Sequence, residues 1–406
     1  MRLLFAHNAY AKPSGEEQAV REIGDLVTRQ GHQVDWFWRS SADIPPGWGQ
    51  VTAFFSGIHS RQAAREMASL LRSVPYDLVQ VQNLYPLLSP SILTACRRAR
   101  VPVVMRCPNY RLFCPTGLHL SHGEICEKCR GGREWWCAVK NCDIGGSRLR
   151  SFSYSARALT ARWSRAILDQ VDRFVVLTEF QRQRFIQGGI PAERIDVIPN
   201  LAAPLNPRPQ AFKSIAESPP IANFADPIGP GDLVTFVGRV SAEKGIEDFV
   251  TAARALPDLP FAVAGDYGAM PELVAAAPPN VQWLGFLPAE PLDQVYARSR
   301  ILVFPSRWFE GFPNVITRAM LHGKPIIAAR IGGLPEIVEH DSSGLLFPPR
   351  DTHELVSAIR SLYQDLNKCR TLGEAGLRKS SSHYGPAAVA AKWLDTYRLA
   401  TDNRQR

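Results

Sequence analysis

The chain has no apolar run approaching the roughly 18 to 20 residues that a membrane-spanning helix needs. That excludes a protein anchored by its own transmembrane helices. Its opening segment, Met1 to Tyr10, is apolar, but His7 and Asn8 break it too early for a secretory signal. The expected location is therefore the cytoplasm. No nucleic-acid-binding motif occurs, so nucleic acid is not expected as a partner. The second half of the chain lacks any excess of either charge. Residues 1–200 carry 26 Lys and Arg against 17 Asp and Glu, and the remainder carries 21 of each. The whole formal charge of +9 thus sits in the first half. Such a half suits an anionic membrane surface or a phosphate-bearing lipid, which places the protein at the inner face of a membrane as a peripheral component.

What is present is an ordinary globular composition, 45% hydrophobic and 21% charged, in 406 residues. That is too long for one core and a natural length for two domains. The segment most informative about organisation runs from Phe304 to Glu336, FPSRWFEGFPNVITRAMLHGKPIIAARIGGLPE. A buried strand ends at Phe304, and Glu310 follows on a Gly-Phe-Pro turn. Val315, Ile316, Ala319 and Met320 recur at helical spacing, and Gly323 and Pro325 stop that helix. A second strand, Pro325 to Ala329, leads through Gly332 and Gly333 into another helix. This alternation is the unit of a parallel sheet. Both loops lie at carboxyl ends of strands, where open α/β sheets place ligands. Both lead into helix N-termini, which favour anions. A carboxylate beside an anion site suits hydroxyls on a neutral part of the same ligand. A sugar attached to a diphosphate fits.

The same alternation runs through the chain. Strands are expected at Arg2–Asn8, Gln33–Trp38, Leu78–Gln82, Val101–Met105, Arg173–Leu177 and Ile195–Ile198. A second series covers Leu233–Gly238, Phe261–Gly265, Val281–Leu284, Ile301–Phe304 and Pro325–Ala329. The expected fold is α/β, two Rossmann-like, doubly wound domains facing a central cleft. The first domain spans 1–202 and carries a cysteine-rich insertion at 107–146. Residues 203–232, rich in proline and without periodicity, read as a linker. The second domain spans 233–385. The last helix, 386–406, carries Trp393, Leu394 and Tyr397 and is expected to brace the first domain. Gly15, between the first strand and its helix, lets a ligand approach the backbone or simply forms a tight turn.

Gly238-Arg239-Val240-Ser241-Ala242-Glu243-Lys244-Gly245 also lies between a strand and a helix. Arg239 and Lys244 are placed to converge on one anion, Arg with a planar fork and Lys as a point charge. The alternative is two solvated surface cations beside a turn.

Five segments in order, GRVSAEKG, AGDYG, LGFLP, FPSRWFEGFPNVITRAM and IGGLPEIVEHDSSGLLFPPRD, resemble the retaining nucleotide-sugar glycosyltransferases of family 4, which have the GT-B fold. HNAY…PSGEEQAV and TEFQRQRF carry a looser resemblance in the first half. The resemblance implies a hexosyltransferase that moves sugar from a nucleotide-diphosphate donor to a hydroxyl of a glycan or lipid-linked acceptor in cell-surface polysaccharide biosynthesis. It assigns catalytic roles to Glu310, Arg239 and Lys244. Donor contacts would come from Gly15, Gly238, Arg239, Lys244, Gly265, Phe286, Leu287, Glu310, Gly311, Phe312, Pro313, Asn314, Val315 and Arg318. No cofactor is implied for catalysis. The chain has no Asp-x-Asp pair, and Arg and Lys can take the place of a bound metal at the departing diphosphate.

Two positions depart from the family pattern. Where a second glutamate usually follows the first by eight residues, this chain has Arg318, which cannot accept hydrogen bonds from a ribose. It could instead reach a phosphate or pair with Glu310. Where a histidine often follows the fourth strand, the chain has Pro108. These departures keep two alternatives in view: a catalytically silent sugar-nucleotide-binding partner protein and a GT-B nucleotide-sugar epimerase.

Two further features stand apart. Cys114, Cys126, Cys129, Cys137 and Cys142 crowd one insertion, and in a reducing compartment that density suits a structural zinc. Free thiols or disulfides are the alternatives. Within 146–169, Leu149, Phe152, Ala156, Leu159, Trp163 and Ala166 form a stripe at helical spacing among five arginines. Such a helix lies on an anionic bilayer, or packs its apolar stripe on the sheet with the arginines in solvent.

Overall fold

The computed structural model describes residues 1–11, 15–45, 47–203 and 231–405. Most of the expected linker lies outside the described residues. The chain forms two compact units. One comprises Met1–Leu201 with Pro386–Arg406, and the other Ala202–Gly385.

The first unit is built on β1 (Arg2–Ala9), β2 (Gln33–Ser40), β3 (Leu78–Asn83), β4 (Val103–Arg106), β7 (Arg173–Val176) and β8 (Ile195–Val197), with a small hairpin, β5 (Leu120–Ser121) and β6 (Glu124–Ile125), inserted after β4. All six sheet strands are parallel, in the order β2-β1-β3-β4-β7-β8. Leu3 to Ala6, Val79, Val81, Val103 and Val104 are essentially without solvent exposure. Helices cover both faces of such a sheet, so its central strands read as continuous apolar runs. The last helix, Pro386–Gln405, belongs to this unit; Trp393 and Tyr397 are fully buried, and the Tyr397 hydroxyl donates to Gln80 Oε1 on β3.

The second unit holds β9 (Leu233–Val237), β10 (Phe261–Ala264), β11 (Val281–Gly285), β12 (Ser299–Phe304), β13 (Ile326–Ala329) and β14 (Gly344–Phe347). Its order is β11-β10-β9-β12-β13-β14, again all parallel. β14 was not among the expected strands. The order reverses between β9 and β12, the switch point beside which doubly wound sheets bind ligands.

One alternative fails. The helix over the arginine-rich stretch spans Arg148–Trp163, and its apolar stripe does not pack on the sheet. Leu149, Phe152 and Trp163 are 75%, 59% and 78% exposed, while Ser151 and Ser155 are buried. The serines face inward because they satisfy the backbone of the cysteine-rich insertion. Ser155 Oγ donates to the Glu134 carbonyl at 2.8 Å and accepts from the Ala138 amide at 3.0 Å. Ser151 Oγ accepts from the Asp143 amide at 2.9 Å.

Candidate active site

The loops that leave the carboxyl ends of β9, β10, β11 and β12 all lie at one edge of the second sheet, and they carry nearly all the expected site residues. The β9 loop turns tightly over 238–245. A Cβ on Gly245 would sit 1.9 Å from the Pro305 carbonyl oxygen, and its φ of +73° lies in the left-handed region. Glycine therefore presses the β9 and β12 loops together. Gly265 does the same for β10, where a Cβ would come within 1.8 Å of the Gly238 carbonyl oxygen.

This contact brings Lys244 to Glu310. Lys244 Nζ donates to Glu310 Oε1 at 2.7 Å. The same oxygen accepts from Ser306 Oγ at 2.9 Å and from the Trp308 indole Nε1 at 2.6 Å. Glu310 is buried, and Lys244 is half-buried against the rings of Phe304 and Trp308. Three donors, one of them cationic, make a buried carboxylate tolerable. Oε2 of Glu310 has no hydrogen-bond partner among the described residues.

Arg239 does not converge with Lys244. Its guanidinium pairs with Glu243 Oε1 at 2.8 Å, one turn along, and its side chain is largely exposed. Glu310 draws its partners from Lys244, Ser306 and Trp308, and Arg318 is not one of them. Arg318 lies instead on the helix Asn314–Leu321, near Tyr296, whose phenol burial pushes well up while the Arg318 charge offsets a part of that shift. That helix is capped by Pro313, which has no side-chain oxygen to cover the first N–H groups. The second glycine loop leads only into the four-residue helix Leu334–Ile337, too short to sustain the dipole expected there. Gly311, Asn314 and Val315 are half-buried and Phe312 is buried. On the β11 loop Phe286 is exposed and Leu287 buried. Gly15, in the first unit, is the exposed first residue of Gly15–Arg29, and a Cβ there would meet nothing within 4 Å. Neither packing nor a positive φ requires glycine at that position.

Sequence reasoning gave no role to Ser306, Arg307 or Trp308. Arg307 clamps the β12 loop to the helix Ile246–Ala255 through Asp248, at 2.6 and 2.9 Å, and Glu247, at 2.6 Å. These carboxylates raise its pKa, Asp248 foremost. The signal was the run Ser-Arg-Trp directly after a buried strand, opposite Glu247-Asp248.

The cysteines of the insertion are all free thiols. Cys137 and Cys142 share a hydrogen bond that pushes the Cys142 thiol down to about 6 and the Cys137 thiol up. Cys114 lies beside Thr116 Oγ1, and Cys129 beside the Glu134 carbonyl. Among the described residues no group of three or more His, Cys, Asp or Glu side chains is arranged to hold a metal ion.

The β9 and β12 loops thus meet at the switch point of the second sheet, with Lys244 on Glu310 and the start of the helix Asn314–Leu321 following. The profile described as "Glycosyl transferases group 1" matches residues 231–365, and that described as "Glycosyl transferase 4-like domain" matches 14–201. The chain belongs to the group 1 glycosyltransferases and has the GT-B fold. It is 26% identical over 251 residues to an alpha-D-kanosaminyltransferase of Streptomyces kanamyceticus, covering 59% of this chain and 63% of that protein. It is 33% identical over 165 residues to the sulfoquinovosyl transferase SQD2 of Arabidopsis thaliana, covering 39% and 32%. The match thus spans less than two thirds of each of these relatives. Among solved structures, HepE of Anabaena in complex with UDP superposes with a TM-score of 0.66 at 20% identity, covering 98% of this chain and 100% of that one. Sucrose-phosphate synthase of Thermosynechococcus elongatus gives 0.67 at 19%, covering 99% of each.

Proposed function

We propose that the protein is a retaining, metal-independent glycosyltransferase that moves a hexosyl unit from a nucleotide-diphosphate sugar to a hydroxyl of a glycan or lipid-linked acceptor in cell-surface polysaccharide synthesis. The observation that carries the proposal is the Lys244–Glu310 pair at the switch point. Glu310 Oε2 accepts from hydroxyls of the transferred sugar. Lys244 and Arg239 stabilise the charge that grows on the departing diphosphate, Arg239 by exchanging Glu243 for phosphate. The bond from the anomeric carbon to the β-phosphate oxygen breaks as the acceptor oxygen bonds on the same face. The acceptor proton passes to the departing phosphate, so glycoside and nucleoside diphosphate are the products. Such a step asks for preorganised cations more than for a strong base.

The solved neighbours support a uridine nucleotide as the first donor to try, since HepE was crystallised with UDP and with UDP-glucose. The exposed Leu149, Phe152 and Trp163 on an arginine-bearing helix support peripheral attachment to an anionic membrane. The test is release of UDP from UDP-glucose with and without an acceptor glycan fraction. Acceptor-dependent release that vanishes in Glu310→Ala and Lys244→Ala supports transfer. UDP release without acceptor points to an epimerase-type enzyme, and binding with no turnover to a silent partner.

A further inference from the structure

The first unit has a feature that the donor site does not use. A narrow pocket is lined by Tyr85, which follows β3, by Arg111, which follows β4, and by Tyr154 and Arg157 from the helix Arg148–Trp163. Its enclosed volume is about 30 Å³. A water needs roughly 10–15 Å³, so the enclosed part suits a small oxyanion and is too small for a sugar ring.

Three arginines line this pocket, and their partners differ. Arg162 is answered by the buried carboxylate of Glu134 at 3.4 Å. Arg111 donates to Asn83 Oδ1 at 3.2 Å and lies near Tyr10, whose hydroxyl donates to Glu16 Oε2 at 2.9 Å. Arg157 has no carboxylate or hydrogen-bond partner among the described residues. Its guanidinium sits 4.1 Å from the Tyr85 ring centre and 5.5 Å from that of Tyr154. A ring below the plane of the fork holds it while leaving its N–H edge free. Burial, and behind it the like charge of Arg111, pull Arg157 down to about 10. Arg157 and Arg111 thus share one narrow space; against its burial, Tyr10 and Glu16 favour the charged form of Arg111, while no carboxylate among the described residues answers Arg157. An anion between them would offset their repulsion and use the open fork of Arg157.

We propose that this pocket binds a phosphate group carried by the acceptor, with Arg157 and Arg111 as its ligands. The proposal rests on the acceptor reading given above and narrows it to phosphate-bearing acceptors. The phosphate could belong to a soluble sugar phosphate or to a lipid-linked glycan.

The test uses the full chain with saturating UDP, which occupies the donor site, and calorimetric titration with inorganic phosphate, glucose 1-phosphate and farnesyl phosphate. Phosphate should bind wild type and Lys244→Ala with equal affinity, and at least tenfold more weakly in Arg157→Gln and Arg111→Gln. Arg157→Lys, which keeps the charge, should recover part of the loss, and unchanged melting temperatures would show that the variants fold. Tighter binding of farnesyl phosphate than of glucose 1-phosphate assigns the lipid source, and the reverse assigns the soluble one. Equal phosphate affinity in wild type and Arg157→Gln, or no phosphate binding by protein that binds UDP, would overturn the pocket and leave the donor reading intact. Failure to bind UDP, with arginine-dependent phosphate binding preserved, would instead remove the donor reading.

Discussion

Lys244 and Glu310, 66 residues apart, share a hydrogen bond of 2.7 Å that joins the loops after β9 and β12. In this state each is the other's charge partner. A donor diphosphate would compete with Glu310 for Lys244, and the sugar hydroxyls would compete with Lys244 for Glu310. On the proposed function, the pair would hold both groups in place until a donor supplies replacements.

Removing either member should therefore act twice. Loss of one charge-assisted hydrogen bond to phosphate, about 1.5–3 kcal/mol, predicts roughly a ten- to hundredfold fall in kcat/KM for Lys244→Ala. Stability should fall in each single variant because a buried charge loses its partner. The double variant should be less destabilised than the sum of the singles. Urea unfolding of the three proteins checks this, and strict additivity would show that the two groups do not interact.

Much of the architecture was legible because buried parallel strands are continuous apolar runs. Ile301 to Phe304 could hardly be anything else. The Lys244–Glu310 meeting was legible only in outline, through loop order along a sheet edge. The partner of Arg239 was not, since periodicity does not say which nearby acid a flexible arginine will choose, and Glu243 was closest. The helix Arg148–Trp163 shows the deeper limit. Spacing says which residues share a face, but not which face is covered. Here Ser151 and Ser155 take the inside because the insertion's backbone needs their hydroxyls.

Gly245→Ala should be severe for its size. The left-handed conformation alone costs about 1–2 kcal/mol with a Cβ, and the clash with the Pro305 carbonyl adds to it. The β12 loop must then move away from β9, carrying Glu310 from Lys244. We expect a loss of at least about 2 kcal/mol in urea unfolding together with loss of transfer. A variant of wild-type stability would refute the close approach of the two loops.

His7 predicts a pH dependence. It is fully buried on β1, both ring nitrogens lack hydrogen-bond partners among the described residues, and burial, with Arg106 and Arg21, lowers its pKa to about 3. An unfolded histidine takes its proton near 6.5. Between those values the unfolded state binds more protons, so stability falls as pH falls from about 6.5 towards 3. At pH 4.5 the loss from this group should be roughly 2–3 kcal/mol relative to neutral pH. His7→Gln should flatten that part of the curve, and an unchanged slope would mean that other groups set it.

The insertion's thiols pose a question of composition. Zinc at Cys114, Cys126, Cys129, Cys137 and Cys142 remains the reading suggested by their density, yet as placed they show a thiol pair and no closed ligand set. Zinc would require these side chains to regroup. If it binds, the purified protein should carry close to one equivalent, and a chelator should lower its melting temperature. Less than half an equivalent, with all eight thiols titratable after denaturation, would leave them as packing groups.

The outward face of Arg148–Trp163 makes the membrane proposal testable without risk to the fold. Leu149, Phe152 and Trp163 are mostly solvent-exposed, so replacing all three with serine should change stability by only about 0.5 kcal/mol per site or less. The exposed Arg148, Arg150 and Arg165 nearby supply attraction to anionic headgroups. Wild type should co-sediment with vesicles rich in phosphatidylglycerol at low salt and less so at 0.5 M salt, where the Debye length is only about 4 Å. The triple variant should lose the salt-resistant part of that binding, because it retains the charges and lacks the apolar insertion. Equal sedimentation of the two proteins would assign the attraction to charge alone, and no sedimentation of either would remove the membrane from the account.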